Sequence, residues 1–103
     1  MKKKLIITLN DNIKILSGRD EGKSMRNKLR LDLIDADSDE YIVEIPDVFS
    51  ITASYFLACF GESIRLLGKE KFCKKYSFDT KKEVIKRNIL TGIDSAVKLD
   101  MPF

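Results

Sequence analysis

The sequence predicts a small α/β domain, a mixed β-sheet of about four strands with helices mostly on one face. Three observations carry that expectation. Short β-branched runs alternate along the chain with stretches whose apolar residues recur at helical spacing. A strand that leads through a helix to a further strand implies at least one crossover unit. Finally, 103 residues with 44% hydrophobic and 34% charged side chains, but only 5 Gly and 2 Pro, suit a single folded domain over residues 1–103.

The elements follow in order. Leu5 to Leu9 and Ile13 to Leu16 flank Asn10-Asp11-Asn12, whose side chains favour turns, so the opening is expected to be a β-hairpin. Ser17-Gly18-Arg19-Asp20-Glu21 then starts a helix in which Met25, Leu29 and Leu33 form one stripe, with Asp20 and Glu21 suited to its N-terminal dipole. Asp35-Ala36-Asp37-Ser38-Asp39-Glu40 is dense in like charge and is expected to be a solvated loop. Tyr41-Ile42-Val43-Glu44-Ile45 reads as a central strand, ended by Pro46, which has no N–H for the ladder.

A long helix follows, with Ala53, Phe56, Leu57, Phe60, Ile64 and Leu67 on one face and Gly68 as its stop. Lys69 to Tyr76 reads as a short helix with Phe72 inward, leading into a brief strand at Tyr76-Ser77-Phe78. The last helix opens at Thr80-Lys81-Lys82-Glu83, a capping-box spacing, and carries Ile85, Ile89, Ile93 and Val97 on its inner stripe.

Composition excludes several chemistries. The chain has no His, which removes imidazole as catalytic base, zinc ligand or pH switch. Cys59 and Cys73 are too far apart in sequence for a CxxC motif, and two lone thiols fit a reducing compartment. After Lys2-Lys3-Lys4 the apolar run breaks at Thr8, too short for a signal peptide, so a cytoplasmic location is expected, with no membrane partner. Asp32, Asp35, Asp37, Asp39 and Glu40 lack the Gly and distal Glu of a calcium loop, and Gly22-Lys23-Ser24 matches only the end of a phosphate-binding loop. Neither an enzyme, a metal nor a cofactor is expected.

The net charge of +3 is mild, yet the excess lies C-terminally: residues 1–51 hold 9 basic and 10 acidic side chains, residues 52–103 hold 10 and 6. Lys71, Lys74, Lys75, Lys81, Lys82, Lys86 and Arg87, interleaved with Phe72, Tyr76 and Phe78, suit a face that tracks nucleic-acid phosphates. The same residues equally suit a solvated lysine-rich surface over an aromatic core.

The connection from Val43 to Phe56 joins a strand to a helix through a hydroxyl-rich turn. Ser50 or Thr52 can cap the helix there, and the same free N–H groups stabilise an added phosphate. Ser50, Thr52, Ser54 and Tyr55 are therefore candidates for a partner-binding surface or phospho-switch. Arg19 sits at a helix start, where its charge opposes the dipole, and is expected to pair with Glu44 or Asp47 or with an anion on a partner.

Ser17-Gly18-Arg19-Asp20-Glu21-Gly22-Lys23, the strand and turn of Val43 to Phe56, and Leu67-Gly68-Lys69-Glu70-Lys71-Phe72 together resemble the bacterial STAS-like domain family of unknown function. The resemblance covers most of the chain, with Glu44-Ile45 and Ser54-Tyr55-Phe56 at the family's acidic-apolar pair and Ser-Phe helix start. That family is similar to the anti-sigma-factor antagonists. The resemblance implies a STAS-like fold and a protein partner such as a GHKL-type ATPase or kinase, with a switch by phosphorylation of a Ser in this turn. The antagonists' Asp-Ser-Ser-Gly turn is replaced here by Thr52-Ala53-Ser54-Tyr55, so Ala53 stands at the modified position and Thr52 and Ser54 flank it.

The sequence thus favours a bacterial signalling module that acts by protein contact, with a homodimer through Tyr55 and Phe56 as a further option. The alternatives are a small basic nucleic-acid-binding accessory protein and a phage or defence-system inhibitor on the same scaffold.

Overall fold

The computed structural model of the chain describes residues 2–8 and 14–99, Leu99 by its backbone alone. The elements are β1 (Lys2–Ile6), β2 (Ile15–Leu16), α1 (Arg19–Leu29), α2 (Leu31–Ala36), β3 (Glu40–Glu44), β4 (Ser50–Ile51), α3 (Ala53–Leu67), α4 (Lys69–Lys75), β5 (Tyr76–Asp79) and α5 (Glu83–Leu99). This is a small α/β domain.

Its strands pair differently from the expectation. β3 lies between β1 and β5 in a three-stranded sheet, and β2 pairs with β4 in a second, two-stranded sheet. Every pairing is parallel, so the sheets are neither mixed nor four-stranded. The expected hairpin is absent from the pairing: its two arms, β1 and β2, belong to different sheets. Its turn, Asn10-Asp11-Asn12, lies outside the described residues. The physical reason is that β-branched runs specify strands but not partners, and two helical crossovers hold β1, β3 and β5 parallel.

Register places Leu5 beside Val43, Tyr41 beside Tyr76 and Val43 beside Phe78. Paired residues point to the same side, so these five form the apolar face of the larger sheet. α3 covers that face: the Phe60 ring lies 5.8 Å from Tyr76 and 5.2 Å from Phe78, and the Phe56 ring 5.8 Å from Phe78. Phe72 of α4 closes the cluster 5.0 Å from Tyr76. Each such side chain contributes roughly 1.5–3 kcal/mol by leaving water. The opposite face carries polar pairs, Lys4 to Glu44 at 3.2 Å and Lys2 to Ser77 at 3.1 Å.

α3 follows the expectation from Ala53 to Leu67, where Gly68, at φ 82°, ends it in a conformation that a side chain would resist. α5 begins at Glu83, later than the capping-box spacing implies, while Thr80 accepts from Lys82 N at 3.3 Å. Ile85, Ile89 and Ile93 are buried as expected, but Val97 is exposed.

The first helix is where the sequence misleads most. Arg30 adopts a left-handed conformation (φ 54°, ψ 49°) that ends α1 and starts α2 in a new direction. The expected stripe of Met25, Leu29 and Leu33 therefore breaks, and Leu33 is 59% exposed. Asp35, expected in a solvated loop, lies on α2 one turn after the fully buried Leu31 and is itself buried, 5% exposed. Among the described residues no helix is long and apolar enough to cross a membrane.

Candidate functional site

The turn before α3 is held by backbone as much as by side chains. Phe49 N donates to Lys14 O at 2.6 Å and Thr52 N to Leu16 O at 2.8 Å, so the β2–β4 pair fixes the approach to the helix. Thr52, extended at φ −83°, is the N-cap: its Oγ1 accepts from Tyr55 N at 3.3 Å and lies 3.2 Å from Ser54 Oγ. Ser50 is half-buried within β4. Ser54 is exposed on the first turn of α3.

Tyr55 departs from its expected role. Its side chain is 2% exposed and its phenol is pushed up in pKa by burial, so it belongs to the core rather than to a partner or homodimer surface, and Phe56 is equally buried. A helix start exposes only part of its first turn. The two residues after Ser54, Tyr55 and Phe56, are already buried.

Thr52 and Ser54 therefore separate by measurement. Thr52→Ala is expected to cost about 1 kcal/mol through the lost cap, whereas Ser54→Ala stays within about 0.5 kcal/mol as an exposed change. Urea unfolding of both variants reads the difference; equal losses would show that Ser54 also has a structural duty.

Ser54 opens onto a groove of about 730 Å3 lined by Arg19 and Lys23 of α1, by Leu57, Ala58, Gly61, Glu62 and Arg65 of α3, and by Ala96 of α5. Arg19 is thereby brought beside the turn, but not by the expected pairing. Glu44 bridges to Lys4 at 3.2 Å and Asp47 to Lys82 at 3.2 Å, leaving Arg19 on the groove side of α1.

The expected basic face is divided by the fold. Lys75 is buried: its Nζ donates to Asp37 Oδ1 at 2.7 Å, to Asp37 O at 2.8 Å and to Asp39 O at 2.9 Å. Lys71 and Lys74 line a recess shared with Asp35, Asp37, Asp39 and Glu40. Lys82 donates to Val48 O at 2.7 Å and lies 5.1 Å from the Phe49 ring, and Lys86 faces Glu83 at 3.9 Å. Lys81 and Lys82 line a second cleft, of about 510 Å3, at the C-terminal ends of β3 and β5 beside Glu44, Asp47 and Asp79. Arg87 is exposed on α5. Acids thus interleave with nearly every one of these cations, and the aromatics expected among them are core.

Asp37 also accepts from Tyr41 Oη at 2.5 Å. The Lys75 ammonium, and then the Tyr41 hydroxyl, hold the Asp37 carboxyl down at about 2. The Tyr41 phenol is pushed up to about 12, first by this bond and then by burial. Tyr76 is raised by burial and by its bond to Asp35.

All 3 tyrosines of the chain are therefore shifted the same way. A raised folded pKa contributes stability that is intact below the unfolded value of about 10 and lost as pH rises through the folded one. For Tyr41 that window runs from about 10 up to about 12. In an alkaline titration the phenolate absorbance is expected to appear only together with loss of the helical circular-dichroism signal. A ring that ionises near its ordinary pKa in the folded chain would contradict this burial. Asp37 has the opposite sign: its contribution is present above the usual carboxylate range and is lost as pH falls toward about 2.

The network that sequence reasoning missed lies between α1, α2, α3 and β5. Asp35 Oδ2 accepts from Arg26 Nη2 at 3.1 Å and from Ser63 Oγ at 2.6 Å, and Oδ1 accepts from Tyr76 Oη at 2.5 Å. Arg26 Nη1 also donates to Ser63 Oγ at 2.8 Å and to Cys59 O at 2.9 Å. Cys59 is buried and its thiol is pushed up to about 12 by desolvation, so it is poorly disposed to form a thiolate. One signal was available: Ser63 interrupts the apolar stretch of α3 beside Phe60 and Ile64, and a buried hydroxyl needs a partner. Which partner it takes depends on the α1–α2 break.

Among the described residues no group of three His, Cys, Asp or Glu side chains is placed to hold a metal ion. Comparison with protein-family models, with curated proteins and with solved structures finds no match to the chain.

Proposed function

We propose that this chain is a non-enzymatic regulatory module that acts by contact with a protein partner through the β4–α3 turn and the groove beside it. The observation that carries the reading is the position of Ser54, an exposed hydroxyl at the mouth of a groove that also contains Arg19 and Lys23. Its neighbours have other duties, Thr52 as the cap and Tyr55 in the core. The resemblance to STAS-like domains and anti-sigma-factor antagonists supports the same surface, and suggests a GHKL-type ATPase or kinase as partner.

In this reading Ser54 is the switch residue. Transfer of the terminal phosphoryl group of ATP to Ser54 Oγ, with loss of the hydroxyl proton and release of ADP, adds about 1.5–2 negative charges at the groove. That is enough to repel an acidic contact.

The test is capture of the partner on the tagged chain from its native cells, with nuclease present, using the unaltered protein and Ser50→Ala/Ser54→Ala. Loss of a nuclease-insensitive partner in the variant, through the lost hydroxyl contacts, with phosphate on Ser54 found by mass spectrometry in the partner-free fraction of the unaltered protein, is the expected result. Undiminished capture by the variant would sink the proposal.

A further inference from the structure

We infer that the groove between α1 and α3 receives an acidic amphipathic helix of the protein partner, an inference that rests on reading the Ser50–Ser54 surface as an interface. Charge is the first argument. Arg19 and Lys23, one turn apart on α1, put two cations on the same side of that helix, against the single acid Glu62 among the residues lining the groove. Among the described residues neither Arg19 nor Lys23 makes an ion pair or hydrogen bond. Arg19 is moreover the first residue of α1, where a positive charge works against the helix dipole. A cation kept at an unfavourable helix position without an internal partner is suited to an external one.

Shape is the second argument. The floor is built from Ala58 and Gly61 of α3 and Ala96 of α5, small residues that let another backbone come close, with Leu57 as an apolar contact. From Ser54 to Arg65 the groove follows α3 for about 16 Å, the length of about three helical turns. An occupant with small or apolar residues facing the floor and Glu or Asp toward the cations matches both features, with anchors at helical spacing.

The same observations disfavour the other anionic occupants. A nucleic acid needs a continued track of cations, whereas this groove contains Glu62 and Leu57, and outside it Lys69, Lys75 and Lys82 are paired with Asp94, Asp37 and Asp47. A second copy would have to offer its own acidic segment. There Asp35 is committed to Arg26, Asp37 to Lys75 and Asp39 to Lys3.

The test is an amide NMR titration of the whole chain with a synthetic helical peptide of Glu on one face and Ala and Leu on the other. Shifts confined to the groove, at Arg19, Lys23, Ser54, Leu57, Ala58 and Gly61, are expected, weakened by salt. Arg19→Glu/Lys23→Glu should lower the affinity by about tenfold or more. Both positions are exposed, and an acid at position 19 suits the helix dipole, so the variant keeps its fold, as its amide spectrum will verify.

The absence of groove shifts at millimolar peptide overturns the inference, as does equal binding by a scrambled peptide of the same composition. Tighter binding of a single-stranded oligonucleotide at these amides would transfer the groove to nucleic acid. Concentration-dependent shifts without peptide would transfer it to a second copy. Partner capture separates this failure from that of the underlying reading. If Arg19→Glu/Lys23→Glu retains the natural partner and Ser50→Ala/Ser54→Ala loses it, the helix-in-groove inference is wrong and the interface stands. If both variants retain it, both are wrong.

Discussion

Asp35→Ala is expected to destabilise the domain by about 3–5 kcal/mol, the loss that follows when one partner of a buried ion pair is removed. The substitution leaves the Arg26 guanidinium without its near carboxylate, and removes the acceptor of both Ser63 and Tyr76. Glu62, 3.8 Å from Arg26 Nε and largely in water, offers little compensation. Against a total stability of about 5–15 kcal/mol for a native domain, this is a large fraction.

Asp35→Asn keeps the shape and some of the hydrogen bonds, so its loss should be smaller; Arg26→Met combined with Asp35→Asn should recover part of it by removing the stranded charge. Urea midpoints of the three variants measure the series. A loss under about 1 kcal/mol for Asp35→Ala would mean that water reaches the Arg26 site and the network is marginal. The Asn variant keeps the test open if the alanine variant does not fold.

Gly22→Ala has the next largest expected effect, and its sign is the informative part. Alanine in a helix is ordinarily favoured over glycine by about 1 kcal/mol. Here a Cβ on residue 22 would stand 2.4 Å from Tyr55 O and 2.8 Å from Ala58 Cβ. The obstacle is the backbone of α3, which cannot rotate aside, so α1 must move away from its closest approach. We expect a net loss of about 1–3 kcal/mol.

Gly61→Ala, on the facing helix, is the control: its Cβ would meet Leu57 Cβ at 3.8 Å, an ordinary contact, so propensity should prevail and stability rise by about 0.5–1 kcal/mol. Thermal unfolding of the two variants should shift in opposite directions. A shift of the same sign in both would show that the α1–α3 contact is looser than these distances imply.

The elements legible in the sequence are those whose signal is local. The extent of α3 with Phe56, Phe60 and Ile64 buried, its stop at Gly68, the strand over Tyr41–Glu44 and the α4–β5 passage each rest on periodicity or on one residue's backbone preference, and the structure has them where they were expected, although Ala53, expected on the apolar face, is exposed. The strand at Ser50–Ile51 escaped notice because two residues carry no period. Of the candidate site, the hydroxyl turn was legible because Thr52 is a cap by chemistry that the sequence displays. The groove was not, since Arg19 and Lys23 reach it from a helix more than 30 positions before Ser54, and nothing local says which helices will touch.

Asp35 shows the division most clearly. An acid in a run of acids belongs in water by every local rule, and Asp39 nearby does pair with an exposed lysine, Lys3. Arg30 turns the chain through a left-handed step, and that step rotates Asp35 inward onto Arg26, Ser63 and Tyr76. The helices α3 and α4, the strands β3 and β5 and the Thr52 cap were determined by the sequence alone, because each depends on interactions within a few residues. Parallel pairing, the buried network and the cationic groove were decided only by the tertiary structure, because each is an agreement between residues that the sequence keeps far apart.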